Sequence, residues 1–337
     1  VAAAGRLQCW THESRVLADN PLGDPHQRDV HVWTPAGWNG ITPLPGVLML
    51  PAFTGSTWSF LNRSWRAPSL PERLDRLTAQ GLPSVAVVMP DTMTAVGGSQ
   101  YVDSPAIGSY ATWLLDELLP WCEERLPLRG RWAAVGKSSG AYGAFRLALA
   151  APDRIGTVAW LSGDAAFDVC YPPDFPGAVE TLRDAGGVAA WWQDFQQRSE
   201  GLRGSDHSVI NLLAMACAYS PDPDAGPLGC ELPVDLETGA TLPAVMARWA
   251  DHDPVRMVPE HAAVLCGLDG LWIEVGTRDE FRLQVGARLL HQALLGVGAA
   301  HEYVEHRGGH FKLNSRFDTV LPWVVARLTG SAPVSGS

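Results

Sequence analysis

The residues that could do chemistry begin with Gly136-Lys137-Ser138-Ser139-Gly140, which fits the pattern G-x-S-x-G. A chain with 34 glycines can produce that pattern by chance, so its setting matters. Arg131 to Val135 (RWAAV) reads as a buried strand and Ser139 to Ala150 as a helix. Ser138 therefore falls on a strand–turn–helix corner, where a sharp turn tolerates only small flanking residues and leaves the hydroxyl exposed above the sheet. The helix N-terminus beneath it favours an oxyanion. An ordinary glycine-rich turn is the bland alternative. Ser139 lacks flanking glycines at the right offsets, and its backbone N–H is better suited to be an oxyanion donor. Gly-Lys-Ser also suggests a phosphate-binding loop, but that motif needs glycine where Arg131 stands, and Gly130 misses by one.

A serine hydroxyl is a poor nucleophile at neutral pH, so a base must take its proton and a carboxylate must orient that base. His310, in Arg307-Gly308-Gly309-His310, follows a strand-like run, His301 to Glu305. Asp279, in Gly276-Thr277-Arg278-Asp279-Glu280, follows Leu271 to Val275 (LWIEV). Both lie at strand C-terminal ends, and the order Ser, acid, His suits such a sheet. Glu280 is the alternative acid. His301 and His306 read as structural or surface histidines. The His306–His310 spacing would suit a metal on a helix, but Gly308 and Gly309 argue against a helix there, so no metal is expected. His252-Asp253 reads as a loop or helix-cap feature.

The elements that position these residues alternate strand and helix, which points to a mainly parallel sheet covered by helices. Arg28 to Trp33 alternates like an edge strand, whereas Gly46 to Leu50 and Ser84 to Met89 are continuous apolar runs of strands buried on both faces. Thr157 to Leu161 is another such run. Helical spacing marks 71–80, 105–126 (with Pro120 expected to kink or break it), 283–295 and 316–328. From about Gly163 to Asp253 the regularity stops. That stretch is rich in Pro, Gly, Asp and Trp, has two or three helical segments such as Ser208 to Tyr219, and reads as a cap-like insertion in a single domain spanning 1–337.

Composition bounds the partners. With 46% hydrophobic residues, 18% charged residues and a formal charge of −11, the chain reads as a soluble globular protein. The acidic balance argues against nucleic acid, and no apolar run is long enough for membrane insertion. The six cysteines lie far apart with no C-x-x-C pair. Free buried thiols are expected, with a bridge among Cys170, Cys217 and Cys230 as the alternative. No cofactor is implied. A homodimer is compatible with the sequence. A cytoplasmic location is favoured over a periplasmic or secreted one, with earlier removal of a targeting segment left open.

A second oxyanion donor would come from the loop after an early strand, Leu50-Pro51-Ala52-Phe53-Thr54-Gly55. The N–H of Phe53 is the choice and Thr54 the near alternative. With these residues in view, the chain resembles the esterase family that includes enterochelin esterases, S-formylglutathione hydrolases and mycolyltransferases. The resemblance runs from about Asp19 to Leu328. It rests on Asn20 to Pro25, Leu50 to Gly55, Met89-Pro90-Asp91, Gly97 to Tyr101, Gly136 to Gly143, Gly276 to Phe281 and His310. It implies an α/β-hydrolase fold, a Ser–acid–His triad and no metal. Ala141 departs from the pattern where relatives often carry glycine, a mild change at a helix start.

The expected function is cleavage of a small-molecule carboxylic ester through an acyl-enzyme on Ser138. Acyl transfer to an alcohol by the same triad, and a non-catalytic hydrolase-fold binding protein, are the alternatives. Ser99, Gln100 and Tyr101, on a loop after a strand, are candidates for substrate contact or for a structural turn. The insertion's Phe167, Tyr171, Phe175, Trp191, Trp192 and Trp249 could line an apolar pocket or form the insertion's own core.

Overall fold

The computed structural model describes residues 4–332. Its strands are β1 (Arg6–Glu13), β2 (Gln27–Thr34), β3 (Gly46–Leu50), β4 (Ala86–Pro90), β5 (Asp103–Ser104), β6 (Gly108–Ser109), β7 (Trp132–Lys137), β8 (Ile155–Leu161), β9 (Gly270–Gly276) and β10 (Glu302–His306). Among the described residues, eight of these form one sheet in the order β1-β2-β4-β3-β7-β8-β9-β10. The pairs β1–β2 and β2–β4 are antiparallel, and every later pair across the sheet is parallel. This is the mainly parallel α/β arrangement expected.

The apolar runs are continuous because both faces of the sheet are covered. On β3, Val47 and Met49 enter one buried cluster while Leu48 and Leu50 enter the other. The helices that matter here are α1 (Leu70–Ala79), α2 (Ser139–Ala150), α3 (Asp206–Tyr219), α4 (Leu283–Gly296) and α5 (Phe317–Thr329). Leu70, Leu74 and Leu77 of α1 join Phe317, Val320 and Val324 of α5 on the first face. Tyr142 and Phe145 of α2 and Leu290 and Leu294 of α4 close the second. Ser69 begins α1 with a reciprocal capping box to Glu72, which fixes where that helix starts.

Several expectations change. The strand containing Arg28 to Trp33 is not the edge: β1 pairs along its whole length and takes that place. Exposed and half-buried residues dominate β1, so its sequence lacks the apolar signal of its neighbours. The helix expected over 105–126 begins later, because the small β5–β6 hairpin occupies 103–109. Pro120 does not break that helix. Trp113–Leu118 forms a π-helical segment, closed by the Leu119 N–H donating to the Leu114 carbonyl, and Leu119–Arg125 continues as α-helix. Pro120 thus falls in the first turn of that α-helix, where a missing N–H is tolerated.

The region of 163–253 is also more helical than expected, with Phe175–Asp184, Val188–Gln197, α3 and Pro243–Ala250 packed into it. Phe167, Phe175, Trp191 and Trp249 are buried there, and edge-to-face contacts such as Phe175–Trp249 tie them together. These aromatics chiefly join the buried cluster on one face of the sheet rather than lining a pocket. All six cysteines are unbridged. The sulfurs of Cys217 and Cys230 lie 3.5 Å apart, and Cys9 and Cys266 are exposed rather than buried. No helix among the described residues is long and apolar enough to cross a membrane.

The start of α2 lies hard against the sheet. A Cβ on Gly140 would collide with the backbone carbonyl of Leu50, which cannot rotate away. Gly140→Ala should therefore lower unfolding free energy by about 2–4 kcal/mol, in the range of core overpacking and strained-backbone changes. Urea unfolding followed by circular dichroism measures this, and a loss under about 0.5 kcal/mol would show that the approach is not rigid.

Candidate active site

Ser138 sits between β7 and α2 with φ +55° and ψ −131°, a left-handed conformation that a residue with a Cβ avoids. Its backbone is nevertheless held. The Ser138 N–H donates to the Leu161 carbonyl at 2.9 Å, and its own carbonyl accepts from Ala141 and Tyr142 at 2.9 and 3.1 Å. Gly136 is required on the strand side, since a Cβ there would overlap the Gly140 carbonyl group. The two glycines of the motif therefore pack against each other, and the serine side chain is turned outward.

His310 and Asp279 meet across two loops. Asp279 Oδ2 lies 2.9 Å from His310 Nδ1, and both side chains are buried. The other Asp279 oxygen accepts the N–H of Phe281 at 3.0 Å, so the carboxylate is oriented from both sides. Glu280 does something different: its carboxylate accepts the backbone N–H of His310 at 2.5 Å. One acid holds the ring and its neighbour holds the main chain. Phe281 packs edge-on to the imidazole with ring centroids 4.9 Å apart.

Ser138 and His310 line one cavity of about 230 Å³, together with Phe53, Lys137, Phe281 and Phe311. Lys137 donates to Asn314 Oδ1 at 2.8 Å, and burial pushes its ammonium below the usual lysine range. The Thr54 N–H is committed to the Gly97 carbonyl at 2.8 Å. Among the described residues the Phe53 N–H has no protein acceptor, and the first-turn N–H of Ser139 has no partner within its own helix. Both stand beside Ser138, at the cavity wall and in the chain respectively.

Ser99, Gln100 and Tyr101 do not line this cavity; all three are buried behind the turn. The Tyr101 hydroxyl donates to the Pro51 carbonyl at 2.5 Å, and its ring fills the space that a Cβ on Gly143 would need. Gln100 accepts from the Ser139 hydroxyl, and its Nε2 lies 3.2 Å from Asp164 Oδ2 and 3.0 Å from the Tyr219 hydroxyl. These residues brace the turn from behind.

His301 pairs with His291, and His306 Nδ1 lies 3.2 Å from the fully buried Glu274, so neither is on the cavity. Asp253 caps the short helix Pro254–Met257 and also accepts the N–H groups of Ala166 and Phe167. Among the described residues no cluster of three metal-ligating side chains converges.

Residues missed from the sequence come mainly from the segment 163–253: His207, Asn211 and Met215 of α3, and Asp164 just after β8. Asp164 could have been found, since a carboxylate at a strand C-terminal end follows the same rule that located Asp279. The α3 residues carry no local signal.

A model of the family described as "Putative esterase" matches residues 25–315. Among solved structures, a ferulic acid esterase superposes with TM-score 0.61 at 17% identity, covering 96% of this chain and 99% of its own. An S-formylglutathione hydrolase from Agrobacterium tumefaciens gives 0.57 at 16% identity, covering 97% of each chain. A fluorophosphonate-binding serine hydrolase of Staphylococcus aureus gives 0.57 at 15% identity, covering 96% of this chain and 99% of its own. At these identities the likeness speaks for the α/β-hydrolase fold. No curated protein matches the chain in sequence.

The loop that carries His310 has its own close approach. A Cβ on Gly309 would run into the Glu280 carboxylate. Gly309→Ala should cost about 2 kcal/mol of stability, and clearly less when Glu280→Ala has already removed the obstacle. A double-mutant cycle in urea tests this; additive losses would show that the two residues do not press on each other.

Proposed function

The chain belongs to the esterase family, and we propose that it cleaves a carboxylic ester through an acyl-enzyme on Ser138. His310 takes the serine proton as general base, and Asp279 fixes the ring so that Nε2 is the nitrogen that accepts it. The serine oxygen bonds to the ester carbonyl carbon, and the carbonyl oxygen becomes an oxyanion. The N–H groups of Phe53 and Ser139 receive that charge. Collapse expels the alkoxide, which takes the proton from His310. Water then repeats the sequence and releases the acid.

The single observation that carries this reading is the 2.9 Å contact between His310 Nδ1 and Asp279 on a cavity that also holds Ser138. An imidazole without a buried carboxylate behind it would have no reason to hold one tautomer. The uncommitted N–H of Phe53 supports the oxyanion role, and the committed N–H of Thr54 counts against that alternative. Glu280 is occupied by the His310 main chain, which favours Asp279 as the acid.

A fluorophosphonate probe should label the chain on Ser138, located by mass spectrometry, and Ser138→Ala should abolish labelling. His310→Ala should lower kcat on an activated ester by about 10³-fold or more, and Asp279→Asn by about 10²–10⁴-fold. An unlabelled Ser138 would point to a binding protein. Product analysis with an added alcohol would show acyl transfer if the new ester outweighed the free acid.

A further inference from the structure

Asp164 is a carboxyl that the proposed mechanism does not use. It stands on the cavity wall that Ser138 and His310 share, and the residue is only 8% exposed. Among the described residues no Lys or Arg pairs with it. Its Oδ2 is held by Gln100 Nε2 at 3.2 Å, while Oδ1 has no hydrogen bond to the protein among those residues. Gln100 is itself immobilised by Ser139, Met215 and Tyr219, so the carboxyl is presented from a rigid base. Beside it the buried Tyr171 hydroxyl favours the charged carboxylate as a hydrogen-bond donor does, although no close, well-aligned bond joins the two.

A buried carboxyl facing a cavity without a cation partner is costly, and it invites a ligand that restores its hydrogen bonding. On the reading that the chain is a Ser138-dependent esterase, we propose that Asp164 is the recognition point for an uncharged hydroxyl on the substrate. Burial pushes its carboxyl above the usual carboxylate range, against the opposing effects of Gln100, His310 and Tyr171. That raised value disfavours a cationic group, because a carboxyl that tends to neutrality offers an ammonium little in return for its lost hydration. A hydroxyl, by contrast, can donate to the free oxygen in one protonation state and accept from it in the other.

The test uses pairs of 4-nitrophenyl and alkyl esters identical but for one hydroxyl, carried on the acyl chain in one set and on the alcohol in the other, at several chain lengths. A third member of each set carries an amine instead. Wild-type enzyme should prefer the hydroxyl ester by about tenfold in kcat/KM at the matching length, the yield of one well-placed hydrogen bond. Asp164→Leu, close in size but apolar, should bring the kcat/KM ratio of hydroxyl to unsubstituted ester down to about one, whatever the absolute rates. Asp164→Asn, which can still accept from Gln100, should retain part of it. The absence of any preference in wild type, an equal fall for both esters in Asp164→Leu, or preference for the amine would overturn the proposal. Ser138→Ala, run alongside, keeps the two readings apart. If wild-type turnover does not depend on Ser138, both fail; if it does but Asp164→Leu discriminates as wild type does, only the Asp164 proposal fails.

Discussion

The backbone of Ser138 has to adopt a conformation that it would not choose. A left-handed φ on a residue with a Cβ costs of order 1–3 kcal/mol, and it persists only when its surroundings leave no alternative. Here those surroundings are the Leu161 carbonyl in front, the first turn of α2 behind, and two glycines pressed together beneath. Because α2 can reach the sheet only where Gly140 meets the Leu50 carbonyl, the same contact sets the spacing between the turn and the loop that bears Phe53. Tyr101 then joins that loop to α2, hydrogen-bonded to Pro51 at one end and packed on Gly143 along its ring. The cavity around the serine is therefore a consequence of one strained residue and the close packing that holds it.

A second constraint acts where β9 and β10 end. Their parallel register runs from Glu302 opposite Trp272 to His306 opposite Gly276, so the two loops that follow emerge side by side. Gly276 lets them approach, since a Cβ there would lie 2.6 Å from the Gly308 carbonyl oxygen. Adjacent carboxylates on one loop then divide the work on the other, Asp279 at the imidazole and Glu280 at the main chain. Sequence alone left these two acids as alternatives. Side-chain length does not separate them; direction does, and direction comes from the turn.

Legibility followed the range of the interactions. The elbow was readable because its requirements are local: strand, small residues, helix. Asp279 and His310 were readable because chain order and strand ends are topological properties of a parallel sheet. Strand β1 was not, since an edge strand facing solvent has no apolar pattern to betray it. Pro120 misled because it falls in the first turn of an α-helix that follows a π segment, and nothing in the spacing announces one. For Ser99, Gln100 and Tyr101 sequence left substrate contact and a structural turn open, a choice that depends on how Tyr101 packs on Gly143.

The insertion shows why the substrate was the least readable feature. Its aromatics are conspicuous in sequence, yet Phe175 and Trp249 pack on each other and Trp191 on Phe195, and all but the half-buried Phe195 are buried in the cluster that covers one face of the sheet. What reaches the cavity is less conspicuous: one side of α3, Asp164, Cys170, Tyr171 and Asp174. The link between that wall and the chemistry is Gln100, which touches Ser139 in the elbow, Tyr219 and Met215 in α3, and Asp164 after β8. A fully buried amide with partners on three elements is sensitive to where each of them sits. A shift of α3 that reshapes the cavity would act on Gln100 and Ser139, so the cavity wall and the turn that carries Ser138 are set by the same hydrogen bonds.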